Sequence, residues 1–144
     1  MLTVARKTCK TNPSTALVKA PKLHWRDCGL AVWLAGIKSS ADVTTRMDAD
    51  FWLEQTLFQT LETRRALDPQ QRKLHFWRDR AGHEVDFILE EAGKLVALES
   101  KAGSQVTTSD ATGIRAFRDD LKHEACLVRG CCTAAKHVRL KKAF

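Results

Sequence analysis

A chain of 144 residues, 44% hydrophobic and 28% charged, has the size and balance of one globular domain with a modest core and less regular ends. Its 24 Lys and Arg outweigh 17 Asp and Glu for a formal charge of +7, which permits a polyanionic partner such as DNA without requiring one. Five cysteines, odd in number with Cys131 and Cys132 adjacent and no Cys-x-x-Cys spacing, argue against a secreted disulfide framework or structural zinc and for a reducing cytoplasm. The longest apolar run, Gly29 to Ile37, is too short to cross a bilayer.

The first 26 residues carry Lys, Arg, Ser and Thr but no acid. Pro13 and Pro21 interrupt any helical pattern there, so a loosely structured basic arm is expected. Between His24 and Ile37, the spacing of Leu30, Trp33, Leu34 and Ile37 predicts a short buried helix beginning near Asp27. Lys38 to Asp42 reads as a loop. From Met47 to Leu67 the apolar residues Phe51, Leu53, Leu57, Phe58 and Leu61 keep helical spacing. Asp48 and Asp50 suit the positive end of that helix, Arg64 and Arg65 the negative end, and Asp68-Pro69 stops it.

The period then shortens to two. Lys73 to Arg80 and His83 to Glu90 read as strands joined at Ala81-Gly82, with Val85, Phe87 and Leu89 on one face. A turn at Glu91 to Gly93 leads into a third strand, Lys94 to Lys101, completing an antiparallel meander. Past a loop from Gly103 to Ser109, a second helix is capped at Thr108 or Ser109 and carries Ile114, Phe117 and Leu121 on one face. Ala125 to Arg129 is a short strand that should run parallel to the third, and Lys136 to Lys142 is a strand or a basic tail. The expected organisation is an arm with a short helix over 1–46 and an α/β domain over 47–144.

Alternation places Glu99 and Lys101 on one face of the third strand, after Leu95 and Ala97 on that same side, and Glu84 with Asp86 on one face of its neighbour. A tight hairpin would bring Asp86 within reach of Glu99. Two carboxylates can hold Mg²⁺ while leaving its waters in place, and the ion lowers the pKa of an attacking water. A lysine alongside can orient that water and stabilise a pentavalent phosphate. The chemistry such a group serves is phosphodiester hydrolysis; the plainer reading is a solvated strand end carrying a weak ion pair.

Asp86 followed by Glu99-Ser100-Lys101 resembles the divided Asp and (Asp/Glu)-x-Lys motif of the PD-(D/E)XK nuclease superfamily, with its restriction-endonuclease-like fold. The order helix, three-stranded antiparallel meander, helix, parallel strand is similar to that core, with an extra amino-terminal helix. A narrower resemblance rests on Lys22-Leu23-His24, Asp27-Cys28-Gly29-Leu30, Glu54, Trp77-Arg78, Glu84-Val85-Asp86-Phe87 and Glu99-Ser100-Lys101-Ala102. These look like the carboxyl-terminal domain of a family of bacterial and archaeal AAA-type ATPases, which carry an ATPase module and a winged helix ahead of it.

The resemblance implies that Asp86 and Glu99 are metal carboxylates for Mg²⁺ or Mn²⁺. It further implies that Lys101 is the catalytic lysine and Glu54 the acid contributed by the first helix. Val85 stands where the motif has proline. No Gly-x-x-x-x-Gly-Lys-(Ser/Thr) occurs, so no ATP site is expected. Lys73, Arg78 and Arg80 are candidate phosphate contacts, and Trp77 either stacks on a base or, the preferred reading, faces the core.

Two functions compete. One is a metal-dependent nuclease acting on DNA. The other is a non-catalytic domain that retains the nuclease fold and binds nucleic acid or protein. A homodimer through the helix Asp27 to Ile37 is a further possibility.

Overall fold

The computed structural model describes residues 2–5, 21–69, 73–91, 94–103, 107–121 and 126–133. The basic tail expected over Lys136 to Lys142 and the centre of the turn expected at Glu91 to Gly93 lie outside them.

Two strands, β1 (Leu2–Ala5) and β2 (Lys22–Trp25), pair antiparallel with Leu2 opposite Trp25. The expectation of a loose basic arm therefore fails at both ends of that segment. Helix α1 (Cys28–Leu34) starts where the sequence suggested, with Asp27 Oδ1 accepting the Leu30 N–H at 2.9 Å. Of the four residues expected on its buried face, Ile37 is buried and the other three are not. Leu30, Trp33 and Leu34 face outward, Trp33 at 73% exposure, while Ala31 and Ile37 pack on Trp52 of the next long helix. A second short helix, α2 (Ser40–Thr45), begins inside the segment read as a loop, with a capping box between Ser39 and Asp42.

Helix α3 (Ala49–Ala66) buries Trp52, Gln55, Phe58 and Leu61, a stripe with a polar residue in it, and leaves Phe51 exposed. A four-stranded sheet follows in the order β3 (Leu74–Arg78), β4 (Glu84–Glu91), β5 (Lys94–Lys101), β6 (Cys126–Thr133). The first three strands run antiparallel and β6 pairs parallel to β5, as the sequence predicts. Helix α3 covers one face through Phe58, Leu61, Phe76, Phe87 and Leu98. Helix α4 (Thr112–Asp120) covers the other, where Ile114 and Phe117 meet Trp77, Val85, Ile88 and Ala97. Full burial of each large apolar side chain contributes about 1.5–3 kcal/mol, so this two-sided cover holds the sheet. Gly113 lets α4 approach closely: a Cβ there would stand 1.8 Å from the Glu84 backbone oxygen.

The alternation expected along β4 breaks at one point. His75 pairs with Ile88 but Trp77 pairs with Val85, so two residues of β4, Asp86 and Phe87, stand opposite Phe76. This is a β-bulge, a device that re-aims side chains locally. Val85 consequently joins Ile88 on the α4 face, and Phe87 goes with Leu89 to the α3 face. The expected grouping of Val85, Phe87 and Leu89 is corrected by that single extra residue.

Candidate functional site

Asp86 sits at the bulge, where the pairing of β4 with β5 ends at Phe87 opposite Leu98. Its carboxylate fills the fork between the strands. Oδ2 accepts the Ser100 backbone N–H at 2.9 Å and the Ser100 hydroxyl at 2.8 Å. The carboxylate thus takes a strand N–H that the ladder leaves over, which fixes its position. Oδ1 points to the α3 side and lies 3.1 Å from Lys22 Nζ.

Lys22 is the centre of the site. Strand β2 delivers its ammonium between three elements, 2.7 Å from Glu54 Oε1 of α3 and 2.5 Å from Glu84 Oε1 of β4, besides Asp86. An ammonium has three protons to donate and here it meets three carboxylates. Burial opposes the Lys22 charge, but Asp86 and Glu54 outweigh it and raise its pKa further above the ordinary lysine range. Burial, with Asp86 adding to it, raises the Glu54 pKa against the pull of Lys22. Glu84 is held below the usual range: burial pushes it up, and hydrogen bonds from Lys22 and Arg78 overcome that push.

Beneath this group lies a buried histidine. Gln55 Oε1 accepts the Trp25 N–H at 2.9 Å, so the Gln55 amide must turn its Nε2 toward His24 Nδ1, 3.0 Å away. His24 Nδ1 is then the acceptor, and a neutral ring carries its proton on Nε2. The ring is 1% exposed and stacks on Phe58 at 4.1 Å. Its Nε2 has no hydrogen-bond partner among the described residues and faces Glu54 Oε1 at 3.9 Å. Burial, reinforced by the Lys22 charge, lowers the His24 pKa to about 4.

Glu99 and Lys101 form a separate half. They follow Ala97 on the α4 face of β5, whereas Ser100 follows Leu98 toward α3. Lys101 Nζ lies 3.1 Å from Glu99 Oε1, and Glu99 Oε2 is buried without a partner among the described residues. Burial raises the Glu99 pKa despite Lys101, with Asp86 and Asp110 adding to the rise. Lys101 is raised as well: burial works against its charge, but the bond to Glu99 wins. It is an ammonium at neutral pH and no base.

The sequence-predicted residues are therefore divided. Asp86 and Glu54 share Lys22, and Glu99 shares Lys101. Asp86 also acts on the second half, its charge raising the pKa of both Glu99 and Lys101. The carboxylates around Lys22 do not fit a divalent ion as they stand. Their oxygens are at ammonium distances, longer than the ~2.0–2.1 Å that Mg²⁺ requires, and the cationic position holds Nζ itself.

Of the expected phosphate contacts, Arg78 is engaged by a carboxylate, and Lys73 and Arg80 are exposed. Arg78 forks onto Glu84, its Nε at 2.9 Å, and Lys73 lies 3.8 Å from Glu90. Arg80 is exposed in the turn after β3. Trp77 is in the core, edge-on to Phe117, with its indole N–H donated to Asp120 at 3.3 Å. Sequence reasoning missed Lys22, Glu84, His24 and Gln55 as members of the site. The shared face of Glu84 and Asp86 was the available signal for one of them. Nothing in the periodicity marks a four-residue strand that pairs with the amino terminus.

In comparison with known families, the model of DUF4143, a domain of unknown function, matches residues 49–142. Domains of this family are typically found at the carboxyl terminus of AAA-ATPase-like proteins. No curated protein and no solved structure matches the chain. Among the described residues, no helix is long and apolar enough to cross a membrane.

Proposed function

The chain belongs to the DUF4143 family, and from that premise we propose that it is a non-catalytic domain of restriction-endonuclease-like fold that docks on an AAA-type ATPase module. The observation that carries this reading is the Lys22 ammonium, bonded to Glu54, Glu84 and Asp86 at 2.5–3.1 Å. A catalytic metal would stand among such carboxylates with open positions for water and phosphate. Here the charge is already balanced by a side chain of the protein, and the ammonium stands at the centre of the carboxylate group.

The docking half of the proposal rests on α1. Leu30, Trp33 and Leu34 lie three and four residues apart and form one outward apolar stripe. The family's usual place behind ATPase modules argues for such a module as the occupant. A second reading, the Mg²⁺- or Mn²⁺-dependent nuclease acting on DNA, draws on Glu99 Oε2, a buried carboxylate oxygen with no described partner beside Lys101.

Incubation of supercoiled plasmid with either metal separates the two. The proposal expects the same intact plasmid from wild type and from Asp86→Ala. Nicking by wild type that Asp86→Ala or Lys101→Ala abolishes would establish the nuclease instead. For the docking face, sedimentation with the ATPase module of a DUF4143 protein should show Trp33→Asp weakening association by at least about tenfold, the scale of an interface anchor. Equal binding by wild type and variant would remove α1 from the interface.

A further inference from the structure

Helix α1 has only seven residues, well under the length at which a helix holds itself in water, and its large apolar residues Leu30, Trp33 and Leu34 face outward. Inward it contributes Ala31, with Ile37 just past its end, against Trp52. That narrow contact is supplemented at both ends of the helix. At the carboxyl end, the Ile37 N–H is donated to the Val32 carbonyl at 3.1 Å and the Gly36 N–H to the Trp33 carbonyl at 3.0 Å. Gly36 stands at φ +70°, where any other side chain would be strained, and Ile37 and Val32 join the same apolar cluster. This is the Schellman closure, which satisfies the last carbonyls of a helix.

At the amino end, the first amides of a helix have no partner within it. Asp27 Oδ1 takes the Leu30 N–H at 2.9 Å. The Cys28 N–H is taken by a different helix: Gln59 Oε1 of α3 accepts it at 3.2 Å, and the Cys28 thiol donates to the Gln55 backbone oxygen at 3.1 Å. One turn earlier on α3, Gln55 Oε1 holds the Trp25 N–H. The two glutamines thus fix the chain on its way into α1.

We infer that α1 is a preorganised docking helix, fixed at both ends before its partner arrives, with Gln59 of α3 capping it from outside. The inference rests on the docking reading of α1 and deepens it, because it names what positions the apolar stripe. Gln59 is a positioning residue, acting through the Cys28 amide. A segment already ordered loses less conformational freedom on association, so a fixed pose raises affinity. The occupant is the ATPase module that domains of this family typically follow.

The test combines amide hydrogen exchange of the free chain with sedimentation against the ATPase module of a DUF4143 protein. Gln59→Leu keeps the bulk of the side chain and removes the acceptor. The amides of Ala31 to Ile37 should then exchange about fivefold faster, the scale of one helix cap, while those of β4 and β5 keep their wild-type rates. Association should weaken by a similar factor. Gln59→Glu, which restores an acceptor, should return both readouts to wild type. Asp27→Ala, at the exposed cap of the same end, should move both as Gln59→Leu does and carries the comparison should Gln59→Leu not fold.

Unchanged exchange of the α1 amides in these variants would overturn the inference, as would faster exchange with association equal to wild type. A wild-type chain that does not associate overturns the docking reading, and the docking role of Gln59 with it; the exchange rates show separately whether Gln59 caps α1. Self-association of the wild-type chain that Trp33→Asp abolishes would place a second copy on the stripe and overturn the ATPase module as occupant.

Discussion

The two halves of the acidic site are built from the same residue types and have opposite electrostatic solutions. On the α3 side, one ammonium is shared by Glu54, Glu84 and Asp86. On the α4 side, one ammonium serves one carboxylate, and the second oxygen of Glu99 is buried with no partner among the described residues. In the first half three acids depend on one lysine, and burial still raises the Glu54 pKa; in the second, one acid has a lysine to itself, and burial raises its pKa as well. A lysine beside a carboxylate therefore means different things a few residues apart, and the number of acids per ammonium decides which.

The largest effect that could break this comparison is at Lys22. Lys22→Met should destabilise the fold by about 3–5 kcal/mol, the cost of removing one partner from a buried ion cluster. Urea unfolding would measure it, and a loss below about 1 kcal/mol, the value of an exposed pair, would put the two halves on the same footing.

Acid should act next, through His24. Its folded pKa of about 4 lies below the ordinary histidine value of 6.5, so between those values the unfolded chain binds a proton that the folded chain refuses. Stability from this group is complete above pH 6.5 and is lost as pH falls toward 4, by about 1.4 kcal/mol per unit of pKa difference. Melts of wild type and His24→Gln across this window should converge as pH falls. Parallel curves would show that the ring is not held neutral.

The smallest effect is expected at Glu99. Glu99→Gln removes a charge that is poorly compensated, so stability at pH 7 should rise or stay within about 1 kcal/mol of wild type. A loss as large as that at Lys22 would mean that Glu99 belongs to the same tightly coupled group.

Much of the frame was legible in the sequence because its causes are local. The period of α3, the alternation of the three strands and the parallel return of β6 all follow from residue spacing. The side of each strand was legible only until the bulge at Asp86-Phe87, which shifts the phase by one residue without any glycine or proline to announce it. Glu99 and Lys101 were correctly placed on one face. Their separation from Asp86 was not visible, because it depends on Asp86 turning into the fork to take the Ser100 N–H.

Lys22 was hidden for a different reason. It lies in a basic stretch whose bland reading is a solvated arm, and its partners are 32, 62 and 64 residues away in sequence (54 − 22, 84 − 22, 86 − 22). The outward stripe of α1 misled in the same way. Leu30, Trp33 and Leu34 have the spacing of a buried face, and spacing alone cannot tell a core from a surface that covers another protein.

The direct test of the central claim is nuclear magnetic resonance of the lysine side-chain ¹⁵Nζ groups at neutral pH. An ammonium held by three carboxylates exchanges its protons slowly, so Lys22 should give a protected resonance that Lys22→Arg removes and that added Mg²⁺ leaves unchanged. A Lys22 signal in fast exchange with water, or one displaced by Mg²⁺ in the wild-type protein, would contradict the account.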